Sequence, residues 1–81
     1  MSTRSHFVKE LAVVAAKVAQ TNKIIAAQRR RIARVKCKGG NTGDAEDFLE
    51  TMLEVRAHHQ GVHNQLLHAL LAVTTRPAMA H

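Results

Sequence analysis

From Phe7 to Val35 the apolar positions advance in alternating steps of four and three: Phe7, Leu11, Val14, Val18, Thr21, Ile25, Gln28, Ile32, Val35. This is a heptad register, with Leu11, Val18, Ile25 and Ile32 in one seam position, and it predicts a helix with one packed face. The other seam position is mixed, since Thr21 and Gln28 interrupt its apolar members. Val8, Ala12, Ala15 and Ile24 widen the stripe beyond a minimal two-stranded seam. A second stripe repeats the spacing: Phe48, Met52, Val55, His59, Val62, Leu66, Ala69, Val73. It is broader, with Leu49, Leu53, Leu67, Leu70 and Leu71 placed to either side of it.

Between the stripes lies Lys38-Gly39-Gly40-Asn41-Thr42-Gly43-Asp44, which holds three of the four glycines. Gly39 or Gly40 suits a left-handed C-terminal cap, and Thr42 or Asp44 suits the next N-cap. The pattern therefore predicts an all-α, antiparallel two-helix hairpin in a single domain over residues 1–75. Helix one covers about 5–38 after a short lead in which Ser2, Thr3 or Ser5 can cap, and helix two covers about 44–75 after the turn at 39–43. Each arm is about 30 residues and 45 Å long at ~1.5 Å per residue. Fraying is expected at Thr74 and Thr75, ahead of Pro77, with residues 76–81 a disordered tail. Gly61 falls inside helix two at an outward position, where it costs about 1 kcal/mol relative to alanine.

Arg31-Ile32-Ala33-Arg34-Val35, Gly39 and Thr42 at the turn, Ala45-Glu46, Leu49, Thr51, His59 and Leu66-Leu67 together resemble a group of short, uncharacterised bacterial proteins, commonest in alphaproteobacteria. The likeness spans about residues 24–70, and the turn is more glycine-rich here. It implies a helical hairpin and carries over no catalytic residue.

Composition agrees with the helices: breakers are scarce, and Phe7 and Phe48 are the only aromatics. The lone Cys37 excludes an internal disulfide and fits a reducing compartment. The longest apolar run, Leu11 to Ala16, falls well short of the ~20 residues of a membrane span. Lys9, Glu10 and Lys17 interrupt any signal-peptide core, so a cytoplasmic location is expected.

The formal charge of +6 changes the picture by its distribution, because Arg29 to Lys38 carries six of twelve basic residues and Asp44 to Glu54 five of six acidic ones. If the turn centres on residue 41, Arg29 lies beside Glu54, Arg34 near Glu50 and Lys36 near Asp47. The preferred reading is thus electrostatics within the hairpin, helped by the helix dipoles. The alternative is a DNA-associated protein that grips phosphate backbone through Arg29, Arg30, Arg31, Arg34, Lys36 and Lys38. A third, a basic hairpin lying on an anionic membrane, conflicts with the use of the apolar stripe for helix packing.

His58, His59, His63 and His68 fall within eleven residues, and His59 and His63 share a face at i, i+4. That pair is the one candidate for metal ligation, and no third ligand accompanies it, so no metal or cofactor is expected. Thr21, Gln28 and His59 form instead a polar layer of the kind that fixes register and oligomer state. The glycines of the turn follow a helix rather than a strand and so do not make a phosphate loop. No nucleophile has a partnered base, and the chain is not expected to be an enzyme. The expected function is a non-enzymatic interaction or scaffold module. Its expected form is a homodimer that completes a four-helix bundle through Leu49, Leu53, Leu67, Leu70 and Leu71.

Overall fold

The computed structural model describes residues 3–79, and side chains as far as Thr74. Two helices, α1 (Thr3–Cys37) and α2 (Gly43–Met79), fold back on each other in an antiparallel hairpin. Among the described residues there is no strand. Pro77 lies within the last turn of α2, and Ala80 and His81, the end of the expected tail, lie outside the described residues.

The turn is made by two caps in close succession. Gly39 takes a φ of 74°, its N–H donates to Lys36 O at 3.0 Å, and Gly40 N–H donates to Val35 O at 2.9 Å. Those two bonds form a Schellman cap, which occupies carbonyls that the end of α1 would otherwise leave open. Gly40 is held to glycine by contact, because a Cβ there would lie 2.7 Å from Val35 Cγ1. Asn41 Oδ1 then accepts from Gly43 N–H at 2.8 Å, an Asx turn that sets the chain into Thr42. Thr42 is the N-cap, buried, with its carbonyl accepting the first α2 bond from Glu46 N–H at 2.8 Å.

All nine positions of the first predicted stripe are buried or half-buried, and Val14, Ile25 and Ile32 form the apolar core, with Ile25 at 2% exposure. On α2 seven of the eight predicted stripe positions are half-buried, and the buried band extends further to the leucine side than predicted. Phe48 is exposed, whereas Ala45, Leu49, Met52, Arg56, His59, His63, Leu66, Leu70 and Val73 are half-buried alongside Val55, Val62 and Ala69. The stripe centres on Ala45, Met52, His59, Leu66 and Val73, spaced by sevens. Because apolar residues occupy both shoulders of that column, a four-and-three count can start on either shoulder; the packing settles it.

The facing register also differs from a turn centred on residue 41. α1 stops at Cys37 and α2 starts at Gly43, so the reversal centres nearer Gly40. Asn22 Oδ1 accepts from Arg56 at 3.1 Å, where the expected partner was Gly61; Gln28 Nε2 donates to Ala45 O at 3.0 Å rather than facing Val55.

Gly61 is exposed, in open space. Gly61→Ala is therefore expected to stabilise the protein by about 1 kcal/mol, while Gly39→Ala, forced to keep a positive φ, destabilises it by about the same amount. Urea unfolding followed by circular dichroism measures both; a destabilising Gly61→Ala would contradict the open environment assigned to that position.

Candidate interaction faces

A hairpin is one layer, and its two broad faces and two edges can be assigned from the cross-helix contacts. Arg56 meets Asn22, Lys36 Nζ meets Glu46 Oε1 at 3.1 Å, and Ala15 and Val18 share a groove with Gln60, His63 and Asn64. These contacts line one broad face. The opposite face carries the groove of Gln28, Arg31, Asp44, Ala45 and Phe48.

On the first face the helical period places Ala12, Ala19, Ala26 and Ala33, seven residues apart and all exposed, next to Val8 and Ala15. Beside this alanine column α2 presents the five leucines. They do not straddle the α2 stripe as expected: with the stripe centred on Met52, His59 and Leu66, all five lie on one side of it. Leu49, Leu53 and Leu70 are half-buried against α1, while Leu67 and Leu71 stay 39% and 53% exposed. Two polar pairs of this face bridge the helices, Arg56 with Asn22 and Lys36 with Glu46. The alanine column is the feature that stripe-counting misses. Its signal was present as a seven-residue repeat, but alanine contributes little hydrophobicity and reads as generic helix former.

The arginine cluster is not held by the hairpin. Arg29, Arg30, Arg31 and Arg34 are exposed, and Lys36–Glu46 is the one ion pair among the described residues. The expected pairs Arg29–Glu54, Arg34–Glu50 and Lys36–Asp47 do not form, because the shifted register puts other residues opposite these cations. Of the six candidates, Arg29 and Lys36 belong to the leucine face by their helical positions. Arg30, Arg31, Arg34 and Lys38 lie on the outer edge of α1 or on the opposite face.

The predicted polar layer separates into three local solutions. Thr21 Oγ1 donates to Lys17 O of its own helix at 2.9 Å, and Gln28 ties into the first turn of α2. His59 Nδ1 is buried and lacks a hydrogen-bond partner. His63 is half-buried in the groove beside Ala15, whereas His58 and His68 are exposed. No set of three metal-ligating side chains comes together among the described residues. Cys37 is exposed at the end of α1, and no described helix is long and apolar enough to cross a membrane.

Compared with family models, curated proteins and solved structures, the chain matches none.

Two outcomes follow from these groups. Lys36, which both hydrogen-bonds and attracts Glu46, and the Thr42 hydroxyl, which donates to Glu46 Oε2 at 3.0 Å, hold the Glu46 carboxyl below its ordinary value. A depressed folded-state pKa stabilises the protein above the ordinary carboxylate pKa, and that contribution is lost as pH falls through the lower folded value. Acid unfolding of Glu46→Gln should accordingly start from lower stability at neutral pH and be less steep than wild type below about pH 4.5; superimposable profiles would show that this contact contributes nothing. For the histidines, calorimetric titration with Zn²⁺ or Ni²⁺ should show no tight stoichiometric site. A tight site lost in both His59→Ala and His63→Ala would contradict that outcome.

Proposed function

We propose that this chain is a non-enzymatic interaction module that works as a homodimer, two hairpins closing into a four-helix bundle through the alanine and leucine face. One observation carries the reading. The hairpin exposes 6175 Å², whereas a folded monomer of its mass exposes about 4,800 Å². The surplus, about 1,400 Å², exceeds the ~800 Å² that each partner contributes to a standard-size interface. The dimensions agree: a radius of gyration of 18.8 Å compares with about 12 Å for a compact chain of this length.

The face also suits a copy of itself. A twofold axis parallel to the helices lays α1 of one copy over α2 of the other, with both turns at the same end. By the observed register, Leu53 and Leu67 of α2 then sit at the levels of Ala26 and Ala12 of α1, large side chains over small ones, while Leu70 and Leu71 come level with Val8. Closed point-group symmetry of this kind satisfies both faces at once. Leu67 and Leu71, exposed in a single hairpin, become part of a second layer, which is what a two-layer core requires. His59 and the Asn22–Arg56 pair lie near mid-length, where polar groups select register. The likeness to short alphaproteobacterial hairpin proteins is proposed on the sequence positions alone and adds a fold rather than an activity.

Size-exclusion chromatography with light scattering tests the reading. The expected mass is twice the 8.9 kDa of the chain, and the Leu67→Glu/Leu71→Glu variant should be a poorly helical monomer. A well-folded monomer at tens of micromolar for the unmodified protein would overturn it.

A further inference from the structure

We propose that the outer edge of α1, from Lys17 to Lys38, is a binding surface for the phosphate backbone of a double-stranded nucleic acid. Three observations lead there. First, the shifted register leaves Arg30, Arg31 and Arg34 exposed and without an ion pair among the described residues. Charges that could have been explained by the hairpin are not consumed by it. Second, the helical period places Lys23, Arg30 and Arg34 on the outer side of α1 and Lys17, Arg31 and Lys38 on the adjoining face opposite the leucines, so that none of the six shares the leucine face. No acidic residue occurs between Glu10 and Asp44. Asp47, Glu50 and Glu54 lie on the outer arc of α2, on the far side of the helix pair, and Asp44, in the groove with Arg31, is the acidic residue on the cations' side. Third, the surface stays open whether or not two hairpins associate, so the inference does not rest on the dimer.

The shape of the edge selects the ligand. From Lys17 to Lys38 it runs about 32 Å at 1.5 Å per residue, the length over which one strand of B-form DNA presents about nine phosphates. A rigid band of cations along a helix matches a linear polyanion. A bilayer surface would call for large apolar side chains interleaved with the cations, as in an interfacial helix. Here the intervening positions are mainly small or polar, Ala16, Gln20, Ala27 and Cys37, and the one large apolar side chain among them, Ile24, is half-buried toward the seam. Single strands are disfavoured because the cations have one aromatic ring beside them, Phe48 in the groove with Arg31, and successive bases need a series of rings to stack on. Nothing on it is shaped to enter a groove and read base edges, so binding is independent of sequence. Arginine forks give the contacts bidentate character toward phosphate oxygens.

Fluorescence anisotropy with a labelled DNA duplex of arbitrary sequence, across a salt series, tests the proposal on the full chain. Wild type should bind at low salt and lose affinity steeply as salt rises. The triple variant Arg30→Gln/Arg31→Gln/Arg34→Gln should reduce the slope of log K against log salt by about 2–3, and weaken binding at least about tenfold at low salt. Lys23→Gln, a milder change that keeps the helix intact, should reduce the slope by about one. Arg29→Gln, on the other face, should leave affinity within about twofold of wild type. Circular dichroism on each variant separates lost contacts from lost fold. Absence of duplex binding at low salt, equal effects of the Arg29 and triple variants, or tighter binding to anionic vesicles or polyglutamate than to duplex would each overturn the proposal.

Discussion

Two helices make one layer, and one layer can cover only the sides that touch. Everything else about this protein follows from how little that seam encloses. Among the described residues its buried apolar side chains are Val14, Ile25 and Ile32, all on α1. α2 has the wider apolar stripe, and its leucines are half-buried or exposed. At ~25 cal/mol per Å² of apolar surface removed from water, so thin a core stands against about 1.5 kcal/mol of conformational entropy per ordered residue. A second layer is the direct remedy, and the alanine column beside the leucines provides a surface on which it can lie closely.

The turn fixes which residues that layer would present. A Schellman cap, an Asx turn and a threonine N-cap follow one another from Val35 to Glu46 with little slack. Together they place the reversal near Gly40, and that placement propagates along both arms. It puts Asn22 opposite Arg56 and Lys36 beside Glu46, so the leucine face neutralises part of its own polarity. The same placement leaves Arg30, Arg31 and Arg34 unmatched on the opposite side. One backbone feature thereby sorts the chain's charges into those used inside the hairpin and those turned toward solvent.

Much of this was legible in the sequence. The α1 stripe could be read position by position because only one phase fits it: alanine and polar or basic residues occupy most outward sites, and all nine seam positions are covered. A glycine cap at Gly39 or Gly40 and an N-cap at Thr42 or Asp44 were legible from turn chemistry, and the structure selects Gly39 and Thr42. α2 was harder because leucine, valine and alanine occupy both shoulders of the central column, so the phase depends on which shoulder meets α1. Phe48 shows the consequence, being the largest apolar residue of the expected stripe and yet exposed. The cross-helix pairs were out of reach, since a facing register depends on the centre of the turn to within a residue or two. Cap bonds decide that centre, and periodicity does not report it. The freedom of the arginines is visible only after the register is known.

The most direct test of a second layer formed by a second copy uses the single cysteine the chain already has. Cys37 is exposed at the turn end of α1, outside the leucine face, and can carry a spin label. Pulsed dipolar spectroscopy then measures the separation of labels on two copies. Pairing about a twofold axis parallel to the helices brings both turns to the same end, with labels on the order of 30 Å apart given interaxial distances near 8–10 Å. Reversed pairing would place the labels on the order of 50 Å apart, a full arm length at 1.5 Å per residue. That longer distance, or no dipolar coupling at tens of micromolar protein, would contradict the account.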